Sequence, residues 1–472
     1  MKYIKQKILI LVFFLCLIPV YSQQFSFGAI PDPVRYRQIN SSPVLVTRNY
    51  TSDITPSSSL KQYSPIPEDQ RPFGTCTAWA TTFVALTISE SVSINRTDPL
   101  LSSNNAFSPY YTYVMASNDP TFKKGMFIGA ALEFLKKKGA VRRQPEEKTI
   151  QFTYMQIYFY VNARHYPISD YKTLFNYYDD YKVLSTEEKV WTVRKSIHEK
   201  KPVIIAMRVP RSFESANGLW QPLRGESPAN TDPRRYHAMC VIGYDNDMYG
   251  GAFLIQNSWG TNWGNEGLIW VKYNDFAAFV FEAYSITGDI NNFKDKNRFA
   301  ANIEIEVDNE PKGMPVVFDK QGFYKTRSSY PTGTRFRFLM TNRYPAYVYA
   351  FSTDTNDSDL ERIFPMEGVS PHLDYKNSTI AWPGENESMQ IFGNTGTDYL
   401  VVLYSESALD IDAIEKSFIN EKGTFPERVA RAVGPDFIPF NIVEYNENKI
   451  EFSTSSLNPK AVFGLLLAIE HR

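Results

Sequence analysis

Hydrophobic and polar positions divide this chain into a helical stretch, a strand-rich stretch and a second strand-rich stretch. From Ala78 the run A-W-A-T-T-F-V-A-L-T-I-S-E-S carries no charge before Glu90 and no Pro or Gly. That pattern predicts a helix buried on all sides, opening near Gly74 and Thr75. The segment F-S-P-Y-Y-T-Y-V-M from Phe107 predicts a helix after Pro109. Residues 128–138, I-G-A-A-L-E-F-L-K-K-K, predict an amphipathic helix stopped by Gly139. From Lys189, K-V-W-T-V-R-K-S-I-H-E-K-K predicts another helix, leading into the strand P-V-I-I-A-M-R-V. Strands then dominate: H-A-M-C-V-I-G-Y-D from His237, G-A-F-L-I-Q-N-S-W-G from Gly251, G-L-I-W-V-K-Y from Gly267 and V-F-E-A-Y-S-I from Val280. Helices first and an antiparallel sheet second predict an α+β domain.

Beyond a polar segment, R-F-R-F-L-M from Arg335, A-Y-V-Y-A-F-S from Ala346 and Y-L-V-V-L-Y-S from Tyr399 predict a separate C-terminal β-rich domain. Within it, residues 411–418 and 425–433 carry helical patterns. The start, M-K-Y-I-K-Q-K before I-L-I-L-V-F-F-L-C-L-I-P-V, has the basic head and short apolar run of a signal peptide, with cleavage expected after Ser22. The organisation expected is therefore a signal peptide over 1–22, a Pro/Ser/Thr-rich leader or linker over 23–59, the α+β domain over 60–288, a linker over 289–300 and the β-rich domain over 301–472. A secreted or periplasmic protein follows from the first of these.

Charge removes one class of partner. The 50 basic and 51 acidic side chains leave a formal net charge of -1, and no Arg/Lys cluster marks a nucleic-acid groove. Cysteine usage sharpens the picture. Of three cysteines, Cys16 lies in the apolar run, so Cys76 and Cys240 remain after cleavage. A disulfide scaffold is excluded in a compartment that would permit one. With no third soft ligand nearby, no metal site is expected, and no cofactor is implied.

Cys76 would sit in the first turn of the buried helix, where unpaired N–H groups favour a thiolate. A cysteine nucleophile needs an imidazole to hold and later deliver a proton. Of the five histidines, only His237 opens an apolar strand in the same domain. Asn257, ending F-L-I-Q-N, suits an orienter of that ring, and the indole of Trp259 could roof their bond. Gln70 could donate to a developing oxyanion together with the Cys76 backbone N–H. Cys240, three residues after His237, faces the opposite side of a strand and reads as core.

These residues resemble the papain-like cysteine proteases. Q-R-P-F-G-T-C from Gln70 resembles the family's oxyanion glutamine and nucleophile, H-A-M from His237 its histidine strand, and N-S-W-G-T-N-W-G-N-E-G from Asn257 its asparagine loop. The segment from Gly125 to Ala131 resembles the part that grips an extended substrate backbone, which makes Gly125 a substrate-binding candidate beside Trp259. The resemblance covers about 60–288. It implies a two-lobed fold, with a helical lobe and an antiparallel β lobe flanking a cleft, and peptide-bond hydrolysis through a Cys76 thioester. Protein or peptide substrates are the implied partners. Two positions depart from the family. Phe73 stands where a disulfide cysteine is usual, and Thr77 stands where a tryptophan usually follows the nucleophile. Packing of Phe73 is the expected substitute for the missing brace. The leader has no resemblance to the usual inhibitory propeptide, so either it blocks the cleft in extended form or secretion alone controls activity. A catalytically silent binding module, and an exopeptidase or transpeptidase using the same residues, are the alternatives. The C-terminal segment resembles a small β-rich domain of bacterial secreted and envelope proteins, where contact with substrate, a glycan or the envelope is open.

Overall fold

The computed structural model describes residues 26–43, 45–46, 54–144, 147, 163–176, 184–287 and 297–472, the last apart from 311, 320–321, 355–359, 394, 457 and 459. The expected signal peptide and the linker over 289–300 fall largely outside these residues. Among the described residues, no helix is long and apolar enough to cross a membrane.

The helical lobe is built around the uncharged run. A helix starts at Cys76–Ala78, widens to π-helical geometry over Trp79–Leu86 and returns to α over Thr87–Ser93. Every residue from Cys76 to Ile88 is buried, as the missing charges predicted. Two further helices, Pro109–Ser117 and Ile128–Lys137, pack beside it. Ser108 caps the first by accepting the Tyr111 N–H, and Pro109 follows at the first helical position.

The β lobe is one antiparallel-rich sheet. Its strands run in the order Asp170–Asn176, Val280–Thr287, Val203–Arg208, Tyr236–Asp245, Ala252–Gln256, Leu268–Lys272, Leu219–Trp220, with Ser57–Ser59 paired onto Tyr236–Asp245. The strand Asp170–Asn176 forms one end of this order, paired to Val280–Thr287. The helix Thr186–His198 begins with a capping box from Ser185 and Glu188. One continuous core joins both lobes, from Trp79 and Phe83 to Tyr236, Met239 and Trp259. This is the two-lobed α+β architecture the sequence implied.

The C-terminal domain is a sandwich of two sheets. One contains Val316–Asp319, Phe323–Thr326, Val462–His471, Gly396–Ser405, Ala346–Asp354 and Glu361–Phe364; the other contains Ser378–Trp382, Arg335–Asn342, Asn297–Val307, Ile450–Ser456 and Glu444–Tyr445. Strand alternation separates two cores. Val348, Val402 and Leu465 face the sandwich interior, while Tyr349, Leu403 and Leu466 face the helices Ile411–Asn420 and Phe425–Val433.

The sandwich is bound to the sheet of the β lobe. Asp374 is ion-paired with both Lys172 and Lys201, and the first two of these groups are buried. Burial opposes its charge, but the two ammonium groups hold the Asp374 carboxyl well below the usual carboxylate range. Trp191 of the helix Thr186–His198 enters the sandwich core, as does Leu45 of the leader. The leader is therefore more than a linker. Ser42 donates to the Thr173 carbonyl, Ser41 to that of Gly368 and Val46 to that of Thr379, at 2.7, 2.8 and 2.9 Å.

Candidate active site

Cys76 is the first helical residue after Thr75, and its side chain is fully buried. Two backbone N–H groups point at its sulfur: Gly28 at 3.2 Å and Ala238 at 3.5 Å. The second comes from the strand Tyr236–Asp245, so the helix start and the histidine strand meet at this thiol. Cys240 on the same strand is buried, and both cysteines are free. Burial pushes the Cys240 thiol up, as suits a core residue.

His237 lies one residue before Ala238. Its Nε2 is 2.7 Å from Asn257 Oδ1. The same oxygen accepts the Ser258 backbone N–H at 2.7 Å, which can only donate, so the oxygen faces the ring and Nε2 carries the hydrogen. Nδ1 is left as the basic nitrogen, with no hydrogen-bond partner among the described residues. The Trp259 ring stacks on the imidazole at 4.6 Å between centroids and 28° between planes.

Gln70 is held by the same loop. Its Oε1 accepts from the Ser258 hydroxyl at 2.5 Å, and its backbone N–H donates to the Ser258 carbonyl at 2.8 Å. The Nε2 group donates to the Phe73 carbonyl at 2.7 Å and to the Ser26 carbonyl at 3.2 Å. The four residues singled out in sequence, from three separate segments, thus share one cluster. A polar pocket lined by Glu68, Asp69, Arg71 and Arg143 adjoins it beside Trp259. Among the described residues, no group of three or more His, Cys, Asp or Glu is placed to hold a metal ion.

The leader lies across this cluster, in the extended form that was one of the two alternatives the sequence left open. Residues 26–30 of the leader run extended through the cleft. The Ala29 N–H donates to the Tyr236 carbonyl at 3.3 Å, Met126 N–H to the Gly28 carbonyl at 2.7 Å and Ile30 N–H to the Met126 carbonyl at 3.2 Å. Phe27 packs edge-on against His237 and Trp259, with the Arg235 guanidinium 4.4 Å from its ring. Farther along, Tyr36 is buried against Phe127 and bonds to the Glu282 carboxyl. The backbone that pairs with this strand is that of Met126. Gly125 contributes space: a Cβ there would lie 2.6 Å from the Gly28 carbonyl oxygen. Gly28 itself passes so close to Gly74 that a Cβ would lie 2.1 Å from the Gly74 oxygen. No periodicity signals such an approach; a lone glycine in F-S-F-G-A-I is the only trace.

The covered site disfavours charge. Burial raises the Cys76 thiol above its ordinary value, and the N–H groups of Ala238, Gly28 and Thr77 offset this only in part. Burial lowers His237 to about 4, against the Asn257 bond, which favours the charged ring. Beneath the leader, burial thus works against both charges of a thiolate–imidazolium pair.

The missing disulfide has a visible replacement. Phe73 packs on Phe122 at 5.2 Å and on Tyr110 at 6.2 Å, while the Gly74 N–H donates to the Phe122 carbonyl at 2.7 Å. Phe73 thus packs against two aromatic rings where the family places its disulfide cysteine.

Over residues 68–286 the sequence matches the family model described as papain family cysteine protease. This segment belongs to the papain family. Solved structures with likeness to the chain include xylellain, a cysteine protease from Xylella fastidiosa, at 17% identity over 56% of this chain and 96% of that one, with a TM-score of 0.40. Digestive procathepsin L2 proteinase from Tenebrio molitor larval midgut aligns at 16% identity over 58% and 81%, with a TM-score of 0.42. The bromelain protease from Ananas comosus, in complex with the E64 inhibitor, aligns at 16% over 49% and 98%, with a TM-score of 0.36. No curated protein sequence matches the chain. The chain thus couples a papain-family cysteine protease domain to a β-sandwich.

Proposed function

We propose that the chain is a secreted or periplasmic cysteine peptidase that hydrolyses peptide bonds at Cys76 and is held latent by its own leader. The observation that carries this is the convergence on one sulfur of two N–H groups, one from the histidine strand and one from Gly28. A nucleophile must meet a carbonyl carbon. The leader instead presents an N–H to the sulfur, so it covers the thiol without offering it a bond to cleave.

With the leader displaced, water reaches the site and the burial that opposes charge is relieved. Nδ1 of His237 accepts the thiol proton, and the thiolate attacks the substrate carbonyl carbon. The negative oxygen that forms is met by Gln70 Nε2, which already donates to a leader carbonyl, and by the Cys76 N–H. The C–N bond then breaks, and the imidazolium proton leaves with the amine. Water, deprotonated by His237, cleaves the thioester and returns the free thiol. Asn257 keeps Nε2 protonated so that Nδ1 stays basic. Trp259 shields that bond, and the backbone beside Gly125 aligns the extended substrate.

The test is proteolysis of an unstructured protein before and after leader removal, with the Cys76→Ala variant as control. Cleavage should appear only after removal and only with Cys76. Cleavage that persists in Cys76→Ala would overturn the reading.

A further inference from the structure

The cleft rim formed by Gly125 and Met126 is suspended from a buried carboxylate outside the catalytic cluster. Asp119 is 1% exposed, and five donors converge on it. Its Oδ1 accepts the Thr121 backbone N–H at 3.0 Å and the Thr121 hydroxyl at 2.6 Å. Its Oδ2 accepts the N–H groups of Lys123 and Lys124 at 2.9 and 2.8 Å, and the Tyr113 hydroxyl at 2.8 Å. That hydroxyl in turn accepts the Gly125 N–H at 3.0 Å. Burial alone would raise this carboxyl, but the donated bonds outweigh it and hold the group ionised, well below the usual carboxylate range.

The next residue carries the grip. Met126 N–H donates into the cleft, and its carbonyl accepts from the cleft strand and from the Thr77 hydroxyl at 2.9 Å. Thr77 is the residue that departs from the family tryptophan. The rim is thus tied twice, to the nucleophile helix through Thr77 and to Asp119 through Tyr113. Both ties are polar.

We infer that Asp119 is a positioning residue that sets the Gly125–Met126 backbone for extended peptides, through the hydroxyl of Tyr113. This rests on the cleft reading above, and it concerns peptide capture alone. Asp119→Asn keeps the shape but replaces Oδ2 by a donor, so three of the five bonds lose their acceptor. Tyr113→Phe leaves the Thr121, Lys123 and Lys124 bonds to Asp119 intact and removes the hydroxyl that joins Asp119 to Gly125.

Two reagents separate capture from thiol chemistry. Iodoacetamide alkylates a reactive thiol without using the rim, whereas a peptidyl epoxide must lie along it. Both would be applied to the full chain with the leader displaced by Gly28→Val. Asp119→Asn should slow epoxide inactivation about tenfold and leave iodoacetamide alkylation of Cys76 within about twofold. Tyr113→Phe should shift the same ratio severalfold in the same direction, and peptide KM should rise in both with little change in kcat. Equal slowing of both reagents, or no slowing of either in both variants, would overturn the inference. A parent whose Cys76 resists iodoacetamide as well would overturn the reading of the site itself, and this proposal with it.

Discussion

Gly28 donates its backbone N–H to the Cys76 sulfur across 3.2 Å. The leader and the nucleophile are joined by that contact, and Gly28 can make it only because it has no side chain to meet the Gly74 carbonyl. Gly28→Val should lift residues 26–30 out of the cleft. Iodoacetamide alkylation of Cys76 should then rise at least about tenfold over the parent, with no loss of overall folding by circular dichroism. Unchanged alkylation would mean that the leader does not guard the thiol.

Latency should weaken in acid. His237 is held at about 4 beneath the leader, below the ordinary value near 6.5. An unfolded or uncovered state therefore binds more protons between those values. Stability of the covered state is full above about pH 6.5 and is lost as pH falls toward 4. The thermal midpoint should drop between pH 7 and pH 5, and His237→Gln should flatten much of that drop. An equal drop in both proteins would assign it to other groups.

The aromatic brace should be measurable as stability. Phe122 is 2% exposed and touches Phe73, Tyr110 and Tyr113. Phe122→Ala should cost about 3 kcal/mol in urea unfolding. A cost under about 1 kcal/mol would show that this packing does not replace a covalent brace.

The domain contact should respond to its buried charge. Asp374→Ala leaves Lys172 buried beside Lys201 with no carboxylate between them. A loss of about 3 kcal/mol is expected. Adding Lys172→Met should restore part of it, because the unpaired buried ammonium is then gone. If the single change is silent, the cluster does not hold the sandwich in place.

Much of the site was legible because its chemistry is carried by distinctive side chains. Cys76, His237 and Asn257 stood out through a run such as N-S-W-G-T-N-W-G, and the buried helix through its missing charges. What escaped was carried by backbone or by position. Gly28 acts through an amide, and Met126 grips through its own N–H and carbonyl, which any residue has. Asp119 sits in an ordinary polar loop, S-N-D-P-T, and its role exists only once Tyr113 is folded over it. The widened helix Trp79–Leu86 has the composition of an α-helix, so its sequence carried no warning. The sequence left cleft blockage by the leader as one of two alternatives, and it could not show the leader's course because the partners lie in two domains that sequence order keeps far apart.

The most direct test is intact-mass labelling with a peptidyl epoxide on the leader-displaced chain. The account predicts a single adduct, mapped to Cys76, that disappears in His237→Ala and forms far more slowly in the parent with its leader in place. An adduct on another residue, or equal labelling of Cys76 with and without His237, would contradict it.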